Sequence, residues 1–246
     1  MPLSPARVLR TFRYTVYFDG VDDYVLKSSP SGFTSYEYTV SAWLRFTRLY
    51  TDERKPGSWF ITNTWWGPIF SELTTDNRLL LRFGTSASKI DIRSNYRFDR
   101  SWHHVSLTAK SGVYGSIYVD GNLDTYVSTS QTFSPSDFVK IQLGFLWSSS
   151  AFQGYIAQVL IYSRTLSDSE ILWNYLNPDN PVRKGLILWL QADPQYIKDI
   201  DGDGLLEWID LSDNNNHGKI YGARLVELTR TPARTLTATR VLSAAR

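Results

Sequence analysis

The sequence predicts an all-β fold of antiparallel strands, and three observations carry that prediction. In SWHHVSLTAKSGVYGSIYVDGNL, residues 101–123, Val105, Leu107 and Ala109 alternate with Ser106, Thr108 and Lys110. Period two is the mark of a strand with one buried face. Ser111-Gly112 with Gly115, and then Asp120-Gly121-Asn122, supply short turns, because Gly and Asp tolerate positive φ. Ile117 and Val119 share a face between those turns. Aromatic residues make up 15% of the chain, with 9 Trp and 15 Tyr, a content that sheet interiors accommodate.

The chain has 246 residues and 42% hydrophobic residues, enough for one large β-domain with appendages. Its net charge is +2, from 26 basic and 24 acidic residues, which argues against nucleic acid as a partner of the folded body. There is no cysteine, so no disulfide framework supports the fold. No apolar run approaches the roughly eighteen residues of a membrane span, so no membrane insertion is expected. Met1–Phe18 lacks the apolar core of a signal peptide. Either the chain starts inside the producing cell, as a virion protein would, or it is a piece of something longer.

The elements follow in order. Residues 1–13 carry Arg7, Arg10 and Arg13 with two prolines and read as an extended arm. Tyr14–Phe18 alternates as a strand, Asp19-Gly20 turns the chain, and Tyr24–Leu26 resumes β-structure. Val40, Ala42, Leu44 and Phe46 share a face of the strand Tyr38–Phe46. Thr47–Gly57 is a charged loop, and Trp59–Ile61 a short strand. Trp65 and Trp66 stand before Gly67-Pro68. Neighbours in a strand point to opposite faces, so one of the two is expected to be exposed; otherwise both pack beneath the loop. Arg78–Gly84 and Lys89–Arg93 read as a hairpin. Thr125–Pro135 is part strand and part loop, Val139–Gly144 a strand, and Trp147 sits beside Ser148-Ser149-Ser150 as a second exposed platform. Gly154–Tyr162 is a late strand. Ser167 and Glu170 have the spacing of a helix-starting capping box.

Trp102-His103-His104-Val105 followed by Ile117-Tyr118-Val119-Asp120-Gly121 resembles the laminin-G-like, concanavalin A-like jelly roll, and two further segments agree. Tyr17–Val25, YFDGVDDYV, resembles that family's early strand and turn. Phe152–Ile171, FQGYIAQVLIYSRTLSDSEI, resembles its late strand and short helix. The resemblance implies a two-sheet antiparallel sandwich, and it makes the Trp-His-His run structural. It also places Asp19 near a cation site found in some members, as a candidate metal ligand, with polar turn chemistry as the alternative. Where the family has acidic residues in the late strand, this chain has Ala157 and Gln158. The fold itself implies no ligand, since it hosts lectins, adhesion modules, capsid domains and glycosidases.

Asn177-Pro178-Asp179-Asn180-Pro181 breaks the chain. Gly185–Ala192, GLILWLQA, then reads as an apolar strand. The segment to Ala223 resembles what usually precedes the family's first strand. Two arrangements fit: a circular permutation in which 185–223 completes the sandwich of residues 14–223, or a partial second repeat. Completion is favoured, because a lone half-repeat would leave Leu, Ile and Trp in water. Residues 224–246 carry five arginines and one acid and read as a basic tail.

The sharpest local motif is DIDGDGLLEWID, Asp199–Asp210. Asp199, Asp201 and Asp203 occupy positions 1, 3 and 5 of a twelve-residue loop, with Gly204 at 6, Leu205 at 7 and Asp210 at 12. A hard cation takes several oxygens, and Gly permits the sharp turn, so calcium is the expected cofactor. The flanks read as strands rather than helices, and Asp at position 12 has a shorter reach than Glu.

No paired-carboxylate glycosidase pattern, nucleophile elbow, zinc-protease motif or phosphate loop is present, so the chain is expected to be non-catalytic. The leading expectation is a calcium-stabilised module that binds a carbohydrate or glycoprotein surface, with Trp65, Trp66 and Trp147 stacking on sugars. The alternative is a structural component of a virion or cell surface, with basic termini that bind other copies. Either implies an extracellular or virion location.

Overall fold

A computed structural model describes residues 12–49, 58–61, 69–84, 89–144, 151–230 and 236–241. The described strands are β1 (Tyr14–Asp19), β2 (Tyr24–Ser28), β3 (Glu37–Phe46), β4 (Ser58–Ile61), β5 (Ile69–Leu73) and β6 (Arg78–Gly84). There follow β7 (Lys89–Arg97), β8 (Trp102–Lys110), β9 (Tyr114–Val119), β10 (Asn122–Ser128), β11 (Lys140–Gly144) and β12 (Gln153–Tyr162). After helix α1 (Asp168–Leu176) come β13 (Leu186–Gln191), β14 (Ile197–Lys198), β15 (Glu207–Trp208), β16 (Gly218–Tyr221), β17 (Arg224–Arg230) and β18 (Leu236–Val241).

These strands form two antiparallel sheets. Sheet A runs β10-β9-β8-β3-β12-β1-β17-β18, with β13 also paired to β12. Sheet B runs β14-β15-β16-β2-β11-β4-β5-β6-β7. The inner faces enclose one large core that includes Val16, Phe18, Leu44, Phe60, Leu81 and Ile156. Segment 185–223 contributes to both sheets: β13 pairs with β12, and β16 pairs with β2. Arg224–Arg230, read from sequence as part of a basic tail, is a strand paired antiparallel with β1. Its Leu225 packs against the core between the sheets, while Val226 and Leu228 are buried on the opposite face, Leu228 with Trp43 and Trp102.

Helix α1 starts as the capping box requires. The Ser167 hydroxyl accepts from the Glu170 N–H, and the Glu170 carboxylate accepts from the Ser167 N–H at 2.9 Å. The helix packs Tyr175 on the outer face of sheet A against Trp43, with ring centroids 5.4 Å apart. The Asp120-Gly121 turn is as expected, with φ of 50° and 79°. Gly115 is not a turn residue. It lies inside β9, where a Cβ would come within 2.3 Å of the Phe83 ring on the facing sheet, so close approach of the sheets is what requires glycine.

His103 and His104 are buried at the start of β8. Asp120 in the β9–β10 turn bonds both, through the His104 N–H at 2.9 Å and His103 Nδ1 at 3.0 Å. Burial pulls the His103 pKa down, but Asp120 and Asp99 outweigh it and leave it raised. His104 has only weak help from Asp120 against burial, which lowers it to about 4. The two therefore act in opposite directions on stability. His103 contributes stability below its unfolded pKa that is lost as pH rises through the raised folded value. The neutral His104 contributes stability above pH 6.5 that is lost as pH falls toward 4. From that interval we predict a loss of about 3 kcal/mol on acidification due to His104 alone. Chemical denaturation at pH 7 and pH 4.5 should show a markedly flatter pH response in His104→Phe than in the unaltered protein, and an equal response would refute this assignment.

Candidate functional site

Two acidic groups and one aromatic row stand out, and they are arranged differently from the sequence expectation. Trp65 and Trp66 fall in 62–68 and Trp147 in 145–150, outside the described residues.

The Asp199–Asp210 loop bridges β14 and β15. Asp199, Asp201 and Glu207 are brought within reach of one another. Asp210, the expected twelfth-position ligand, is not. It is buried beside β13, where it accepts from the N–H groups of Trp189 at 2.8 Å, Ser212 at 2.9 Å and Asn216 at 2.8 Å. It therefore organises the 210–216 turn instead of facing the loop. The loop's own oxygens are also engaged. Asp199 accepts from the N–H groups of Gly202 and Gly204, and Asp203 from that of Leu205. Lys219 of β16 bonds Asp203 and, at 2.9 Å, Asp201, and reaches Glu207 at 3.6 Å. A lysine ammonium thus sits among the carboxylates that calcium would require. As placed, the set Asp199, Asp201, Asp203, Leu205 and Asp210 does not fit a calcium ion.

Asp19, Asp22 and Asp23 form the second group, in the β1–β2 turn that joins the two sheets. Asp19 accepts from the Val21 N–H at 2.8 Å, and Asp23 accepts from the Asp19 N–H at 2.7 Å. Asp23 is buried, and burial raises its pKa, with Asp19 and Asp22 adding to the effect and Arg224 opposing it. Gly222 and Gly144 leave room for it. A Cβ at Gly222 would lie 2.2 Å from Asp23 Oδ1, and one at Gly144 2.6 Å from the Asp23 carbonyl. No lysine or arginine salt bridge neutralises these three carboxylates among the described residues. Three hard oxygen donors, one buried and penalised by burial, fit a divalent cation better than the Asp199 loop does.

The row lies beside this turn, on the outer face of sheet A. Residues directly opposite in an antiparallel ladder project to the same face. Trp102 is opposite Arg45, Arg45 opposite Tyr155, Tyr155 opposite Tyr17, and Tyr17 opposite Arg224. Five adjacent strands, β8-β3-β12-β1-β17, therefore carry one line of aromatic and guanidinium side chains. The rings of Tyr17 and Tyr155 lie 5.0 Å apart, and that of Trp102 lies 6.2 Å from Tyr155. Arg45 is 5.8 Å over the Tyr155 ring, and Arg224 is 6.0 Å over that of Tyr17. Trp102 is buried at one end; Tyr155, Tyr17 and Arg45 are half-buried, and Arg224 is exposed. Asp19 and Gln153, opposite each other one position before the turn, flank the row with polar groups. On sheet B, across the same turn, Tyr24 and Tyr221 stack at 4.4 Å.

Sequence reading missed this row. Each member is a single outward residue between inward ones, as Tyr17 is between Val16 and Phe18, so the parity was visible. The strand register that lines them up was not, and Arg224 had been placed in a tail.

The model of the concanavalin A-like lectin/glucanases superfamily matches residues 19–172. A comparison with curated proteins finds no match. A Bacteroides ovatus protein assigned to carbohydrate binding superposes with a TM-score of 0.69 at 17% identity, over 89% of this chain and 61% of its own. Domain 4 of an extracellular GH43 arabinanase from Geobacillus stearothermophilus, in complex with arabinotriose, gives 0.51 at 20% identity, over 64% of this chain and 74% of its own. A SAP-like pentraxin from Limulus polyphemus gives 0.50 at 12% identity, over 66% and 82%. At these identities the likeness is one of fold. The chain spans about 61% of the length of the Bacteroides protein.

Lys219 gives this site a direct test. Lys219→Met is expected to lower the thermal midpoint, more at low than at high ionic strength, through repulsion among Asp201, Asp203 and Glu207. With Lys219 retained and the Asp19–Asp23 group substituted (Asp22→Asn with Asp23→Asn), the protein should melt alike in calcium and in chelator. A calcium-raised midpoint in that variant would mean the ion displaces the lysine.

Proposed function

We propose that this chain, which belongs to the concanavalin A-like lectin/glucanase superfamily, is a non-catalytic module that binds carbohydrate at the rim around Asp19–Asp23. The observation that carries this reading is the in-register row Arg45–Tyr155–Tyr17–Arg224 on an outer sheet face. Half-exposed tyrosine rings offer apolar faces to the C–H side of a sugar, and Asp19, Gln153 and the guanidinium groups offer bonds to its hydroxyls. The Bacteroides protein's assignment to carbohydrate binding and the arabinotriose complex of the arabinanase domain favour the same class of ligand.

Catalysis is not part of the reading. Burial raises two carboxyls: Asp23, which is 4% exposed and turned toward the Asp19 N–H and Gly222, and Asp179, which accepts from Gln191 beyond the end of α1 and lies outside the row. A hydrolase would need a raised acid that reaches the glycosidic oxygen. Asp19, Asp22 and Asp23 are the residues that would hold calcium, and an ion there would fix the turn beside Tyr17 and offer coordination positions to sugar hydroxyls.

Tyr155→Ala should reduce affinity for a glycan identified by array screening roughly tenfold or more, a loss of about 1.4 kcal/mol, while the thermal midpoint confirms folding. Bound glycan should be recovered uncleaved. Binding unchanged by Tyr155→Ala and by Tyr17→Ala would place the site elsewhere, and release of reducing ends would overturn the non-catalytic reading. Asp22→Asn with Asp23→Asn should abolish any calcium dependence of binding.

A further inference from the structure

We propose, resting on the carbohydrate reading above, that the ligand is a linear acidic polysaccharide laid across the strands of sheet A. Arg13, Arg78, Arg82, Arg97 and Arg164 are each paired with a carboxylate. Among the described residues Arg45 and Arg224 are paired with none. Arg45 donates from Nε to the carbonyl of Arg100 at 2.7 Å, which orients it and leaves its terminal nitrogens to the surface. Arg224 contacts the Tyr17 ring and acts on Asp23 only through its field. A guanidinium is a planar fork suited to carboxylate or sulfate. Two unpaired ones at either side of a tyrosine pair form a site waiting for anions.

The spacing suits a chain rather than a single sugar. Arg45 and Arg224 stand three strand intervals apart, about 14 Å at the usual interstrand distance. Tyr155 and Tyr17 occupy the two strands between them. One strand interval is comparable with the length of one pyranose ring in an extended chain, so successive rings fall on successive strands. Arg48 and Arg100 also lie at this edge, bonded to the carbonyls of Gly20 and Thr47. The opposing charges are Asp19, Asp22 and the buried Asp23 of the turn, the last already within the field of Arg224; Glu227 is paired with Arg13. A cation held by the turn would reverse that local repulsion.

Polygalacturonate and its fully methyl-esterified form share a backbone and differ in charge and an ester methyl, and they provide the test, with dextran sulfate, which carries sulfate and no uronate, to separate the two anions. Affinity electrophoresis and calorimetry of the full chain should show at least tenfold tighter binding to one of the acidic chains than to the ester, weakening as salt is raised. Arg224→Gln, at an exposed position, and Arg45→Gln should each reduce acidic binding several-fold, and together bring it to the level of the ester. Tyr155→Ala should weaken acidic chain and ester alike. Equal binding of acidic and esterified chains would overturn the acidic preference while leaving the carbohydrate reading intact. Acidic binding untouched by the arginine substitutions would overturn the proposed location. Absence of binding to any charged or neutral glycan would overturn both.

Discussion

The long strand β12 is the constraint on which the rest of this molecule depends. It hydrogen-bonds to β3 along its length on one side. On the other it is shared, with residues 153–156 opposite β1 and residues 158–162 opposite β13. A slip of one residue in a sheet with a buried face would turn its whole apolar set outward. Phe152, Ile156, Val159 and Ile161 in the core thus lock the register. The irregularity between Ile156 and Gln158 lets Ala157 and Gln158 both be buried on the helix side, where Gln158 donates to the Pro178 carbonyl at 2.6 Å. The same locked register sets Tyr155 between Arg45 and Tyr17. A surface row is therefore determined by core packing.

Buried polar groups do the remaining positioning. Asp120 ties the β9–β10 turn to the first residues of β8, and Asp210 ties the 210–216 turn to β13. Each carboxylate accepts backbone N–H groups that would otherwise be lost to water in a buried place, where an unmade bond costs about 1–3 kcal/mol. The difference between the acidic groups follows the same logic. Around Asp199–Asp203 the charge is met by Lys219 from the neighbouring strand, whereas among the described residues no lysine or arginine forms a salt bridge with Asp19, Asp22 or Asp23.

Much of the fold was legible. Alternation located β1, β3 and β8, Asp120-Gly121 located a turn, and Ser167 with Glu170 located the helix start, because each is a local property of a few residues. The two-sheet arrangement came from the resemblance, and the structure and the family match agree with it. The site was much less legible. The Asp199–Asp210 spacing predicted convergence of ligands, but spacing does not say that Asp210 is needed by Trp189 or that Lys219 approaches from β16. Gly115 read as a turn residue because its steric role depends on Phe83, far away in sequence. Arg224 read as tail because the five arginines of residues 224–246 outweighed the apolar Leu225, Val226 and Leu228. In each case the missing information was a long-range neighbour.

The two tyrosines and two arginines of the row come from the first described strand, the third, the twelfth and the seventeenth. In order of synthesis Tyr17 comes first, then Arg45 and Tyr155, and Arg224 last of the four. Among the described strands β17 pairs with β1 and β18, so the last guanidinium reaches its place when β17 docks on β1. A ribosome still holding residue 224 in its exit tunnel presents a sheet without that charge. A molecule cut before residue 224 therefore lacks one of the two guanidinium groups that bracket the tyrosine pair.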